Sequence, residues 1–307
     1  MNTSTADAVT DAIHRLARCI AALAQDIGRT HLLHPDIYLV RANTPTPMQI
    51  HTVYTPALCF IAQGAKHLVI GEQQLDYDEQ RMLLFTVDLP VMSQVVRATA
   101  AHPYLGIRIN LNIEKMSTLA AQVFPHGITT ANTTAGAVVG PNSAPIIQTV
   151  TRLIESLSRP DESQLIAPLI LDELLIRVLQ SPIGAQIAAA CLAHTQTHRI
   201  AQALTWIRQH YDAPLSVRDL AARVHMSPST LHHHFKQVTA MSPLQYQKAI
   251  RLHTARQLLM QQRYDVQQTS IAVGYASVSQ FSREYRRFFG HTPSLDTKLR
   301  SIDTSDH

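Results

Sequence analysis

His232-His233-His234 is the most conspicuous run of metal-capable side chains in the sequence. Successive helical residues point about 100° apart, so three in a row cannot converge on one ion. Near neutral pH, imidazoles on a helix surface can instead hydrogen-bond to bases or, once protonated, meet phosphates. His51, His67 and Glu72 form a second group, in a strand-rich region. They lack the closely spaced His-x-His with a following Glu that metal-bearing barrels use, so neither a metal nor catalysis is expected, and no cofactor. Cys19, Cys59 and Cys191 are far apart, which argues against a disulfide framework and against a CxxC site. Cys59 lies in the apolar run Ala57-Leu58-Cys59-Phe60-Ile61-Ala62 and reads as a small core residue, with a redox- or electrophile-sensing thiol as the alternative. His51, Tyr54, Cys59, Gln63, Tyr77 and Arg108 all fall on expected strands and are the candidate lining of a small-molecule pocket.

Charge is divided unevenly along the chain. Residues 1 to 198 carry 12 basic and 15 acidic side chains, whereas residues 199 to 307 carry 14 basic and 7 acidic ones. The C-terminal third alone is basic, as expected of a nucleic-acid-binding module tethered to a second unit. At 307 residues, 46% apolar and 16% charged, the chain can bury two cores and is not a disordered tail. No apolar run is long enough to span a bilayer, and Met1 to Thr10 has no basic stretch before an apolar one. The cytoplasm is the expected compartment and no membrane partner is expected.

The elements that must hold these residues follow from periodicity. Val9, Ile13, Leu16, Ile20, Leu23 and Ile27 recur at helical steps. Between Gln49 and Leu111, seven short apolar segments separated by turns at Gly71-Glu72 and Asp78-Glu79-Gln80 predict a barrel or sandwich. Thr129 to Gly136 reads as a loop. Two apolar-faced helices follow, one through Ile146 to Leu157 and one over Leu165 to Leu179. They suit either a dimer interface or a cover for the strands. The polar stretch Thr195-Gln196-Thr197-His198 is the expected boundary, dividing a first domain, 1–195, from a basic second domain, 196–307.

Beyond the boundary a short helix, Val217 to Val224 with Ser216 as N-cap, is followed by the turn His225-Met226-Ser227 and a helix opening at Pro228. With Leu231 and Phe235 facing inward, this is a helix-turn-helix. The pattern returns about fifty residues later, with Gly274-Tyr275-Ala276-Ser277 as the turn and Phe281 and Tyr285 facing inward. The connecting helix, Pro243 to Gln261, is long enough to set two readers in successive major-groove turns.

Gly274-Tyr275-x-Ser277-x-Ser279-x-Phe281-Ser282-Arg283-x-Tyr285-x-Arg287-x-Phe289-Gly290-x-Thr292-Pro293 resembles the signature of the AraC/XylS family of transcription regulators. Met241-Ser242-Pro243-Leu244-Gln245-Tyr246 and Arg251-Leu252-x-x-Ala255-Arg256-x-Leu258-Leu259 resemble its linker. The match covers nearly 100 residues. More loosely, Pro56-x-Leu58-Cys59, Gln63-Gly64-x-Lys66, Val87-Asp88-Leu89-Pro90 and Pro103-Tyr104 resemble a cupin-like sensor domain found in one branch of that family. One departure stands out: Ser270 occupies a packing position where the family usually has Ala. A buried hydroxyl there costs about 1 to 3 kcal/mol unless it bonds back to the preceding turn.

The resemblance implies an α+β chain: an N-terminal cupin-like β-barrel with flanking helices, then an all-α domain with two helix-turn-helix units. Base reading would fall to Ser229, His232 and His233 in the first unit and to Val278, Ser279, Gln280 and Arg283 in the second. Arg283 suits guanine, Gln280 adenine and Val278 a thymine methyl. Thr230, Lys236, Ser277, Arg286 and Arg287 would meet phosphates, which orient without reading sequence. The implied protein is a homodimeric activator or repressor of promoter DNA answering a small-molecule effector, with RNA polymerase a candidate partner. The rival is a barrel enzyme or small-molecule binder that its C-terminal domain merely carries to DNA.

Overall fold

The structure is a computed structural model that describes residues 3–46, 50–128, 135–191, 196–261 and 264–295, with the backbone alone at 3–5, 50 and 51. Within them, strands β1 (Gly28–Leu32), β2 (His34–Ala42), β9 (Tyr104–Asn110), β4 (Ala57–Gln63), β7 (Arg81–Phe85) and β10 (Ala137–Pro141) form one sheet in that order. Strands β3 (Ile50–Tyr54), β8 (Leu89–Arg97), β5 (Ala65–Ile70) and β6 (Gln73–Asp78) form a second. Every ladder is antiparallel, and none joins the two sheets. The strand-rich region expected as a cupin-like barrel or a sandwich is two facing sheets that, among the described residues, do not close. The seven expected strands are β3 to β9. β1, β2 and β10 escaped notice because β1 is a polar edge of sequence GRTHL, and the other two lack clean alternation. Of the expected loop at 129–136, residues 129–134 lie outside the described residues and Ala135 and Gly136 are outside helix and strand.

The continuous apolar runs of the larger sheet reflect burial on both faces. In β4, Leu58, Phe60 and Ala62 join a core shared with helices, while Ala57, Cys59 and Ile61 join the core between the sheets. Strand β7 divides in the same way, Met82 and Leu84 against Leu83 and Phe85. The helical layer consists of α1 (Thr3–Leu23), α2 (Ile113–Val123), α3 (Ala144–Leu157), the short α4 (Pro160–Ser163), α5 (Ala167–Leu179) and α6 (Gly184–Cys191). Ile13, Leu16 and Ile20 of α1 pack there, but the helix ends at Leu23 and the expected apolar position Ile27 is 69% exposed. α1 lies on β4 and β9, α3 packs on α1 and α5 on α3, leaving Ile166 and Leu169 exposed at the start of α5. No single helix among the described residues is long and apolar enough to cross a membrane.

Six helices follow: α7 (Gln196–Gln209), α8 (Val217–Arg223), α9 (Pro228–Thr239), α10 (Pro243–Met260), α11 (Val266–Ala272) and α12 (Val278–Phe289). The segment 192–195 on the boundary is outside the described residues. Serine or aspartate oxygens cap the N-termini of α8 to α12: Ser216, Ser227, Ser242, Asp265 and Ser277. The two units end their first helices alike, on Val224 and Val273, and then need a left-handed residue. His225 supplies it in the first (φ 52°) and Gly274 in the second (φ 81°). The second position admits only glycine, because a Cβ there would lie 2.0 Å from the Asp212 carbonyl. Arg251 on α10 ties these parts together by donating to the carbonyls of Tyr211 (2.6 Å), Ala213 (3.0 Å) and Gly274 (3.0 Å).

The two units differ in what they pack against. Leu252, Leu259, Val273, Phe281, Tyr285 and Phe289 give the second unit a core of its own. The first unit's Ile200, Leu204, Leu231, Phe235 and Tyr246 instead belong to one cluster with Leu68, Tyr77, Leu89 and Val91 of the sheets. Polar contacts seal the junction. The fully buried Tyr246 donates to the Asp88 carbonyl (3.0 Å), Arg208 pairs with the Asp88 carboxylate, and the Gly136 N–H donates to Val238 (2.9 Å).

Ser270 is fully buried and its hydroxyl finds no hydrogen-bond partner among the described residues. Ser270→Ala should therefore stabilise the second unit by about 1 to 2 kcal/mol in denaturant titrations. Gly274→Ala should destabilise it by more than about 2 kcal/mol, from the backbone clash and the left-handed φ together.

Candidate nucleic-acid interface and ligand cavity

Leu231 and Phe235 turn one face of α9 into the core, and that leaves Ser229, His232, His233 and Lys236 exposed on the other. On α12, Phe281, Tyr285 and Phe289 do the same, so Val278, Ser279, Gln280, Arg283, Arg286 and Arg287 are exposed. Three of the positions expected to meet phosphate are not free side chains. Thr230 is half-buried and its hydroxyl contacts Ser227 Oγ at 2.8 Å, within the N-cap of α9. Ser277 caps α12 by accepting from the Gln280 N–H (3.4 Å), and Lys236 Nζ lies 3.5 Å from Glu72 on the β5–β6 turn. The Lys236 pair is well exposed and so worth at most about 1 kcal/mol, which a phosphate can displace. His234 faces Gln237 across 3.0 Å, so two rings of the histidine run, His232 and His233, are exposed and the third lies along the helix.

One residue of the second unit was missed. Glu284 accepts from Tyr275 Oη (2.9 Å) and Gln280 Nε2 (3.3 Å) and pairs with Lys248 Nζ (3.2 Å). Burial works against its charge, but these bonds outweigh it and hold the carboxyl below its usual value. Glu284 therefore orients Gln280 from the helix turn behind it. The i, i+4 spacing from Gln280 was the signal available in the sequence.

Between the sheets lies a cavity of about 380 Å³. Strand register builds it. Tyr38, Arg108 and Cys59 are direct neighbours across β2, β9 and β4, and Tyr77, Lys66 and Val95 are neighbours across β6, β5 and β8. Tyr54, Cys59, Tyr77 and Arg108 from the expected lining face this space. Gln63 does not: it donates to the Pro103 carbonyl (2.7 Å) and borders an open groove of about 750 Å³ along α1. His51 is paired with Met92 by its backbone, and its side chain is outside the described residues. Lys66, Tyr38, Tyr104 and Arg29 also line the cavity and were not anticipated. Lys66 could have been found, since it shares the inward phase of Leu68 and Ile70 on β5.

The Arg108 guanidinium lies 4.5 Å from the Tyr54 ring centroid and donates to the Thr55 carbonyl (2.9 Å) and Asn110 Oδ1 (3.1 Å). Lys66 Nζ sits 5.0 Å from the Tyr104 ring centroid. Burial opposes its charge, but the nearby Tyr104, Tyr54 and Cys59 groups, as they ionise, hold the amine above its ordinary value, so it is protonated at neutral pH. Burial also pushes the Cys59 thiol up, against Arg108 and Lys66, so it is protonated at neutral pH. Among the described residues no group of three His, Cys, Asp or Glu side chains could hold a metal, and His67 is turned to Asp76 (2.6 Å).

Comparison with known proteins agrees with this arrangement. Residues 34–186 match the family of the AraC-type transcriptional regulator N-terminus, and residues 220–297 match a helix-turn-helix domain. The HTH-type transcriptional regulator ArgR of Pseudomonas aeruginosa is 35% identical over 102 residues, 33% of this chain and 31% of that protein. The HTH-type transcriptional activator RhaS of Klebsiella pneumoniae is 32% identical over 95 residues, 31% of this chain and 34% of the relative. The chain thus spans about a third of the length of the curated relatives it matches. Over nearly the whole molecule the fold is similar to ToxT of Vibrio cholerae, with a TM-score of 0.57 at 10% identity, covering 86% of this chain and 97% of that one. A ToxT structure with an unsaturated fatty acid bound aligns with a TM-score of 0.54 at 11% identity over 85% of this chain and 92% of its own. With an AraC-type N-terminal region on the sheets and a helix-turn-helix match on the basic helices, the chain belongs to the AraC family of DNA-binding transcriptional regulators.

Proposed function

We propose that this chain is a cytoplasmic, homodimeric regulator that binds promoter DNA in a sequence-specific manner under the control of a small molecule held between the sheets. The observation that carries the reading is the pair of helices, α9 and α12, whose polar faces are exposed while α10 fixes one relative to the other. At 18 residues α10 is about 27 Å long, which, with the width of the flanking helices, matches one turn of DNA. Residues 1–195 act as the sensing and dimerisation part and 196–307 as the DNA-binding part. Activation, by contact with RNA polymerase, is the favoured sign, because relatives such as RhaS are named activators.

His232, His233, Val278, Ser279, Gln280 and Arg283 read bases, with Ser229 at the edge. Lys236, Arg286 and Arg287 bind phosphates, while Thr230 and Ser277 bind them with the N–H groups of the helix starts that they occupy. The junction at Asp88 couples the halves. A ligand that favours one packing of the sheets favours one placement of α9, and only such a differential preference shifts the equilibrium. The relatives are regulators, and the cavity groups are suited to binding, so no reaction is assigned.

Selection from random duplexes should enrich asymmetric sites spanning two adjacent major-groove turns. Arg283→Ala and His233→Ala should each cost about 1 to 3 kcal/mol and relax specificity at different positions. Arg286→Ala should weaken all sites alike and flatten the log-affinity against log-salt slope by about 1. Equal, weak binding to every duplex would overturn the reading.

Thiol sensing is the weaker mode of control. Burial pushes Cys191 up to about 12, and burial with nearby Glu155 pushes Cys19 up to about 11. All three thiols should resist a disulfide reagent in the native protein at about pH 7.5 and react together on denaturation. Rapid native labelling of Cys59 would favour electrophile sensing instead.

A further inference from the structure

The cavity between the sheets has one property beyond its existence: its charge is all of one sign. Arg29, Arg41, Lys66 and Arg108 line it, and no Asp or Glu does among the described residues. None of the four cations has a carboxylate partner among the ion pairs of the described residues. Arg41 is spent on the Ala24 carbonyl (3.1 Å) and Asn43 (3.0 Å), at the edge of the sheet. Arg29 lies over the Tyr38 ring, 5.0 Å from its centroid. Deeper in, Lys66 and Arg108 rest on tyrosine rings, and Arg108 is only 8% exposed. Holding cations out of water without counter-charge is costly, and a ring face replaces only part of the hydration lost.

The rest of the wall is apolar or weakly polar: Val40, Val95, Ile107 and the tyrosine rings, with the Tyr54 hydroxyl donating to Ser93 Oγ (3.3 Å). We propose that the cavity binds a small organic carboxylate, its anionic end between Lys66 and Arg108 and its apolar or aromatic body against Val40, Val95 and Tyr38. Arg108 Nε and Nη2 are engaged with Asn110 and Thr55, which leaves Nη1 to donate to the carboxylate, and Lys66 adds a point charge from the facing sheet. A neutral sugar would leave both cations uncompensated. A phosphate dianion would give up far more hydration to enter walls this apolar. The site also explains how ligand binding reaches DNA, because Lys66 and Tyr77 are cross-strand partners and Tyr77 belongs to the core that holds α9.

The inference rests on the proposed ligand-controlled function, and its test separates the two. Benzoate, cinnamate and octanoate are titrated calorimetrically into the full chain beside benzamide, cinnamamide and octanamide, which keep each shape but remove the charge. At least one acid should bind about tenfold or more tightly than its amide, as expected when a charged partner of a buried cation is replaced by a neutral one. Lys66→Met should bind acid and amide alike. Its melting curve, measured alongside, shows that the variant is folded. Arg108→Lys should keep the preference in weakened form and Arg108→Met should lose it. Amides that bind as well as their acids would overturn the carboxylate assignment while leaving a ligand pocket in place. No binding by any acid would overturn it too. Selection of specific DNA sites by the same protein, run in parallel, shows whether the regulator reading stands on its own.

Discussion

The molecule depends on a shared core. Ile200, Leu204, Leu231 and Phe235 lie in one hydrophobic cluster with Leu68, Leu89 and Val91 on the inner faces of the sheets. This makes the first helix-turn-helix unit part of the sensing half in energetic terms, although the chain places it after the expected boundary. The second unit has its own small core around Phe281 and Tyr285 and is joined to the first through α10 and the Arg251 bonds. Two readers that differ in this way are not equivalent: one is positioned by the state of the sheets, the other by α10.

The same sheets carry the cavity, and strand register links the two roles. Inner-face residues of β4, β5 and β9 line the cavity, pack in the core shared with the first unit or, like Cys59 and Tyr104, do both. Cys59 and Ile61 stand two residues apart on one strand, as do Lys66 and Leu68 on another, one lining the cavity and the next packing in the core. A ligand that changes the separation of the sheets therefore changes the surface that supports α9. Asp88 stands where the two meet, with its carbonyl bonded to Tyr246 and its carboxylate to Arg208.

Much of this was legible in the sequence, and the reasons are physical. The helix-turn-helix repeat declares itself because apolar spacing, N-caps and turn residues agree at every level, down to a left-handed residue in each turn. The penalty at Ser270 was readable from one departure in a packing position. Strands β3 to β9 were readable by alternation and turn chemistry, but closure was not, since it depends on long-range pairing between edges. Gln63 and Lys66 show the limit of reading a strand without its phase: Gln63 faces the outer groove, whereas Lys66, three residues on and past the bulge and Gly64, faces in. The docking of the first unit on the sheets, which runs through α10, left no mark in the sequence because Tyr246 and Ile250 look the same whichever surface they meet.

The claim that most needs testing is that the first unit and the sheets form one cooperative body while the second unit stands apart. Hydrogen exchange of the full chain, compared with Tyr246→Phe, tests it directly. The shared core requires that α9 and β8 exchange with a common protection, that both lose protection when the Tyr246 hydroxyl is removed, and that α12 does not follow. If α9 instead opens together with α12, and β8 keeps its protection in the variant, the two helix-turn-helix units form the cooperative body and the sheets do not control the first reader.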